Sequence, residues 1–224
     1  MKTVYFDIET IPCQLPSALA EFKAAVQAPA QYKKADSIAA WLEENRDSEG
    51  EAAWLKTSFD GGMGHVCAIG VAEGYKEPNV YYLPPGEWTP EGERLILEWF
   101  FSHLTDVGHC KLVGHNHIGF DIPFLWKRAM VLNVKPPFNF PRNPKPWSET
   151  VADTMLLWDA TQRAGGSMDR ICRLMGIPGK GDVSGSDVWP MFKDGRIVEI
   201  ADYCAEDVKR TRAMYQRMTF AEAA

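Results

Sequence analysis

The sequence predicts an α/β fold: a mixed β-sheet flanked by helices. Its first stretch alternates with a period of two, Val4, Phe6 and Ile8 against Tyr5, Asp7 and Glu9. Two apolar runs further on read as an antiparallel hairpin. Beyond them, helical patterns interleave with short apolar strands, as expected of helices packed on a sheet. The 224 residues are read as a single domain, 1–224, long enough to bury a sizeable core.

The first strand runs from Lys2 to Glu9, and Pro12 ends it. From about Ser17 to Leu55 the chain is rich in Ala and Glu and reads as helical. Gly61, Gly62 and Gly64 mark a turn. Val66–Ala72 and Asn79–Leu83 form the hairpin, separated by Gly74 and Pro78. Thr89 is placed to cap a helix reaching Leu104, with Glu91 and Glu93 in its first turn. Lys111–Gly114 is a short buried strand. Asp121–Asn133 follows as a helix with Ile122, Leu125, Ala129 and Leu132 on its core stripe. Val151–Asp153 reads as another strand. Helices are expected at Thr154–Gln162, Met168–Met175 and Ile197–Met218. Two segments stand apart. Lys135–Trp147 holds five of the 15 prolines, with Lys135, Arg142, Lys145, Phe138, Phe140 and Trp147 and no acid. It reads either as a stiff surface connection or as a basic-aromatic loop for stacking a base. Gly165–Gly195, rich in Gly, Ser and Asp, reads as mobile.

Composition narrows the function. With 46% hydrophobic and 24% charged residues, disorder and collagen-like structure are excluded. No apolar run has the length of a membrane span, and Asp7 and Glu9 interrupt what would be a signal peptide. The five cysteines (13, 67, 110, 172 and 204) form no Cys-x-x-Cys, which points to a reducing, cytoplasmic location. A net charge of −6 argues against a binder of long duplexes, but not against a protein that touches a few nucleotides through metal ions.

Three acidic motifs follow. On a strand, Asp7 and Glu9 point the same way and present two carboxylates, the oxygen donors that hard divalent cations prefer. Other acid-x-acid pairs (Asp47/Glu49, Glu49/Glu51, Glu91/Glu93) read as solvated surface; the first pair differs by ending an apolar strand, where idle acids are costly. The second motif, Gly114-His115-Asn116-His117-Ile118-Gly119-Phe120-Asp121, lies between a strand and a helix. Alone, Asp121 reads as an acid stabilising a helix N-terminus, and the two histidines as polar groups at a strand end rather than zinc ligands. In the third, Tyr203 and Asp207 share a helix face beside the core stripe of Ile200, Cys204, Val208, Thr211, Tyr215 and Met218. Alone, Asp207 reads as half of a surface ion pair with Arg210.

Together, in this order, Asp-x-Glu, Asn-x-x-x-Phe-Asp and Tyr-x-x-x-Asp make a specific set. The chain resembles the DnaQ-like (RNase H-like) 3′–5′ exonucleases, in the branch with four acids and a tyrosine, and is similar to the proofreading exonuclease domain of family-B DNA polymerases. The resemblance runs from Val4 to about Tyr215. It implies an RNase H-like sheet, metal-binding acids at Asp7, Glu9, Asp121 and Asp207, and a catalytic tyrosine at Tyr203. Thr10 and Asn116 fall where the family contacts the terminal nucleotide, and Phe120 on a packing position next to the second-motif acid, Asp121. Asp202 stands where the sister branch carries histidine. Residues 13–64 form a helical insertion longer than such domains usually have, which could cover the site or bind a partner.

The implied cofactors are two divalent cations, Mg²⁺ or Mn²⁺, since the set is four oxygen ligands with no soft donor. The implied partner is a single-stranded nucleic acid 3′ end, DNA before RNA, with a nucleoside 5′-monophosphate as product. Lys135, Arg142, Lys145, Lys180, Lys209 and Arg210 are the candidate phosphate contacts. A non-catalytic nucleic-acid-binding module on the same fold is the alternative.

Overall fold

The computed structural model describes residues 1–160, 166–179, 181 and 183–221. Five strands form one mixed sheet: β1 (Lys2–Ile11), β2 (His65–Glu73), β3 (Asn79–Tyr82), β4 (Cys110–Gly114) and β5 (Val151–Asp153), in the order β3-β2-β1-β4-β5. β1 to β3 are antiparallel neighbours, while β4 and β5 run parallel to β1. The carboxyl ends of β1, β4 and β5 therefore share one edge, where open α/β sheets place their ligands.

The eight helices of the described residues are α1 (Ala18–Ala24), α2 (Ala35–Leu55), α3 (Glu93–Val107), α4 (Asp121–Val131), α5 (Thr154–Asp159), α6 (Met168–Met175), α7 (Val188–Lys193) and α8 (Ile197–Met218). The alternation along β1 sorts the layers. Val4, Phe6 and Ile8 pack with Ile96, Leu97 and Phe100 of α3 and Ile122 and Leu125 of α4. Tyr5 faces the other way and packs with Ala72, Val113, Val208 and Tyr215 beneath α8. Gly70 lets α8 come this close: a Cβ there would sit 3.0 Å from both Cys204 Sγ and Val208 Cγ2.

Several elements differ from the sequence reading. The helical stretch before Leu55 is two helices, because Pro29 falls between α1 and α2. α3 starts at Glu93; Thr89 caps the turn before it, its Oγ1 accepting the Gly92 N–H at 2.8 Å. α4 ends at Val131, before Asn133. α5 ends at Asp159, and the expected end at Gln162 lies outside the described residues. The segment read as mobile contains, besides α6, a 3-10 turn at Gly185–Asp187 and α7, whose Val188 and Met191 are buried with Ile11, Cys67 and Ala68.

The acid pair Glu91/Glu93 is not solvated surface at its second member. Glu93 is fully buried, because Arg128 of α4 grips it with Nε and Nη2 at 2.8 and 2.6 Å, and the Val66 N–H and the His65 ring bond it at 2.8 and 2.7 Å. A buried carboxylate survives only when so compensated. The network ties α4 to the start of β2.

Residues 13–64 leave β1 and return through a 3-10 turn at Lys56–Phe59. Their anchor is local: Trp54 Nε1 donates to Cys13 O at 2.8 Å, the Cys13 N–H donates to Thr57 Oγ1 at 2.8 Å, and the Trp54 and Trp189 rings meet edge to face. Most of α2 beyond Trp54 faces solvent.

The basic-aromatic loop connects the end of α4 to the start of β5. α4 begins at the carboxyl edge of the strands and its 11 residues run ~16 Å toward the opposite edge. There Asn139 Nδ2 donates to Leu104 O and Gly108 O at 2.7 and 2.6 Å. Lys135, Arg142 and Lys145 are thus carried away from the acids, and Arg142 lies over the Trp126 ring. One of its aromatics, Phe140, is neither on a surface connection nor free to stack a base: it is buried in the main core against Phe6, Phe100 and Phe101.

Candidate active site

At the carboxyl edge, β1 supplies the first two acids on its α8 face. Asp7 is half-buried and Glu9 buried, and a β-bulge interrupts the β1–β2 register right after Glu9. Such a bulge re-aims the side chains beside it. One ligand atom each from Asp7, Glu9 and Cys204 lie within 4.8 Å of one another. The thiol is a feature the sequence reading missed: Cys204 stands on the core stripe of α8, directly under Asp7, its Sγ 3.6 Å from Asp7 O and 3.9 Å from Asp7 Oδ2. A soft donor is therefore present. Burial, then the charges of Asp7, Glu9 and Asp207, push its pKa well up in the metal-free protein.

Asp121 arrives from the other side, as the first residue of α4. It is 3% exposed and accepts the Ile8 backbone N–H, which brings it to β1 between the positions of Asp7 and Glu9. Burial, aided by the negative charge of Asp153, pushes its pKa up to about 7, against the pull of its own and the Ile8 N–H groups. Asp153, read from sequence only as a strand residue, positions this motif. Its carboxylate accepts the N–H groups of Asn116, Ile118 and Met155 at 2.8, 3.0 and 3.0 Å. These bonds hold the turn that leads into α4, with Asn116 exposed in a left-handed backbone conformation (φ 61°). Beneath the turn His117 is fully buried against Phe6, and burial lowers its pKa to about 4, so it is neutral. Gly114 makes room for that ring, since a Cβ would lie 2.4 Å from His117 Nδ1. His115 bonds Thr154 Oγ1 at 2.9 Å. Neither histidine joins the acid group Asp7–Glu9–Cys204.

Tyr203 and Asp207 come from α8 and are 8% and 4% exposed. The Tyr203 hydroxyl is hydrogen-bonded to Asp207, and its pKa is raised first by burial and then by the charges of Asp207, Glu9 and Asp7. It is a phenol surrounded by carboxylates. The Asp207–Arg210 pair exists at 2.7 Å, but it is buried rather than on the surface.

Thr10 is half-buried and donates its hydroxyl to Ser58 O at 2.8 Å, tying the end of the insertion to the first motif. The next residue, Phe59, is 73% exposed, and its ring packs on Phe120 with centroids 6.4 Å apart. No sequence signal marks Phe59, because it reaches Phe120 only through the fold. Of the candidate phosphate contacts, Lys209 is paired with Glu206 and Glu77, and Lys180 lies outside the described residues.

The carboxyl oxygens of β1, α4 and α8 are the donors that hard divalent cations prefer; among the described residues Asp7 and Glu9, with Cys204, stand close enough together to share an ion, while Asp121 and Asp207 do not join that group. Known proteins agree with the fold and the class. Residues 61–224 match the family described as predicted 3′–5′ exonuclease related to the exonuclease domain of PolB, and the chain belongs to that family. The matched stretch includes Asp121, Tyr203 and Asp207, while Asp7 and Glu9 precede it. This family generally implies use of divalent metal.

Among solved structures the chain is similar to the family B DNA polymerase from the hyperthermophilic archaeon Pyrobaculum calidifontis. The identity is 17% and the TM-score 0.61, over 98% of this chain and 24% of the polymerase. The chain thus spans about a quarter of that polymerase's length, and the likeness speaks to the fold alone. That fold is the RNase H-like fold of the PolB exonuclease, as the resemblance implied. No curated protein matches the sequence. No helix of the described residues is long and apolar enough to cross a membrane.

Proposed function

We propose that the protein is a 3′–5′ exonuclease that removes nucleoside 5′-monophosphates from single-stranded DNA 3′ ends with two divalent cations, Mg²⁺ or Mn²⁺. The observation that carries this reading is the adjacent pair Asp7 and Glu9, whose charges, with that of the hydrogen-bonded Asp207, all act on the buried Tyr203 hydroxyl. Asp121 is brought against the same stretch of β1. These four carboxylates would hold the cations. The cations, when bound, supply Lewis-acid activation of water and neutralise charge on the phosphodiester. DNA is preferred to RNA because the similar structure is that of a DNA polymerase.

The chain's own groups do the rest. Tyr203 keeps its proton at working pH, since its surroundings push its pKa above the ordinary phenol value. It orients the attacking water by a hydrogen bond and does not act as a base. Asp153 fixes the turn that carries Asn116 and Asp121. Thr10 and Asn116 flank the terminal nucleotide. Phe120, with Phe59 against it, offers an aromatic surface on which a base can stack in any sequence context.

The test is a 5′-labelled single strand incubated with protein and Mg²⁺ or Mn²⁺. A descending ladder, abolished by chelator and restored by either metal, is expected, with matched RNA degraded more slowly. A strand that binds but never shortens would support the non-catalytic module. Undiminished cleavage in excess chelator would overturn the metal assignment.

A further inference from the structure

Tyr203, Asp207 and Arg210 stand at i, i+4 and i+7 on α8, so all three share one face. Arg210 Nη1 donates to Asp207 Oδ1 at 2.7 Å, with the two side chains 11% and 5% exposed. Such a charge-assisted bond, sheltered from water, is strong. Among the described residues, the side-chain bond the guanidinium makes is this one, through Nη1. Its Nε is buried and has no hydrogen-bond partner. The side chain also lines a cavity of about 310 Å³ together with Glu206, Asp202 and Tyr203. Glu206 lies one helical turn back, in reach of an arginine that swings away from Asp207.

We infer that Arg210 is a built-in counter-cation that occupies Asp207 in the metal-free protein, and that a divalent cation must displace it to use that carboxylate. The inference rests on the reading of Asp207 as a metal ligand. A +1 guanidinium and a +2 ion compete for the same carboxylate group and repel each other across it. Arg210 thus does two things. It compensates buried negative charge while metal is absent, and it weakens metal binding when metal arrives. The metal concentration at which the protein becomes loaded is set in part by this side chain.

Calorimetric titration of Mn²⁺ into nucleic-acid-free protein tests this without reference to cleavage. Arg210→Gln should bind Mn²⁺ roughly ten- to a hundredfold more tightly than wild type, the range expected when one bond to a charged group no longer has to be broken. In chelator the same variant should melt at a lower temperature than wild type, and saturating Mn²⁺ should close the gap. Arg196→Gln removes the same charge from an exposed pair with Glu199 at the start of that helix and should leave Mn²⁺ affinity within twofold. In the wild-type protein, titration with Mg²⁺ should shift or broaden the Arg210 Nε–H resonance, which keeps the idea testable if the variant fails to fold. Equal or weaker Mn²⁺ binding by Arg210→Gln, or an Nε–H signal unchanged to saturation, overturns the inference and leaves the exonuclease reading standing. A wild-type protein that binds no Mn²⁺ at all overturns the exonuclease reading instead.

Discussion

Replacing Asp121 by asparagine should stabilise the metal-free protein while destroying its use of metal. The Asp121 carboxyl has its pKa pushed from an ordinary 3.8 to about 7, chiefly by burial. Between these values the folded chain keeps a proton that the unfolded chain has shed. Stability of the metal-free protein therefore falls as pH rises through that window and levels off above pH 7. A gap of about three pKa units is worth roughly 4 kcal/mol once fully developed. For a chain of this size that corresponds to about 10 °C in melting temperature. Asparagine keeps the shape, can still accept the Ile8 N–H, and never ionises. Thermal melts in chelator, from pH 5 to pH 8.5, should show the Asp121→Asn profile lacking this slope. The variant should exceed wild type most clearly at pH 8 and least at pH 5. With saturating Mn²⁺ at pH 8 the order should reverse, because only wild type gains a ligand. A variant no more stable than wild type at pH 8 in chelator, or a difference that does not change with pH, would refute the reasoning.

Three further outcomes are expected. Tyr203→Phe should keep Mn²⁺ binding but lose on the order of 2–4 kcal/mol of barrier lowering, a hundredfold to a thousandfold in single-turnover rate, whereas Asp207→Ala should lose metal as well. Calorimetry paired with quenched single-turnover cleavage separates the two. Phe59→Ala should raise KM for a short single strand by roughly tenfold, from the loss of one stacking surface, with kcat little changed. That difference should vanish on a strand with an abasic 3′ end, and its persistence there would exclude stacking. Asp153→Ala should cost roughly 3 kcal/mol in denaturant melts, because three N–H groups lose a charged acceptor, and should slow cleavage through misplacement of Asp121.

What could be read from sequence was whatever depends on spacing within one element. The period of a strand put Asp7 and Glu9 on one face, and the pitch of a helix did the same for Tyr203 and Asp207. Contacts between elements were closed to such reading. Glu93 looks like any first-turn acid until Arg128, 35 residues later, is folded onto it. Cys204 belongs to the core stripe by its spacing, but its place beneath Asp7 depends on the close packing of α8 at Gly70. Phe59 has no periodic signature and gains its neighbour Phe120 only when the insertion returns to β1. The short helix α7 was hidden in a stretch whose small polar residues outweigh two buried apolar ones.

The order of the acids along the chain has a consequence for assembly of the site. Asp7 and Glu9 lie on the first strand, Asp121 follows more than a hundred residues later, and Tyr203 and Asp207 nearly two hundred residues after that strand. α8 has to dock across β1 and β2 before the two halves of the site meet. A chain that ends before α8 therefore carries Asp7, Glu9 and Asp121 without Tyr203 and Asp207. The proposed chemistry would therefore be absent from any form of the chain in which α8 is missing or undocked, however well the sheet itself has formed.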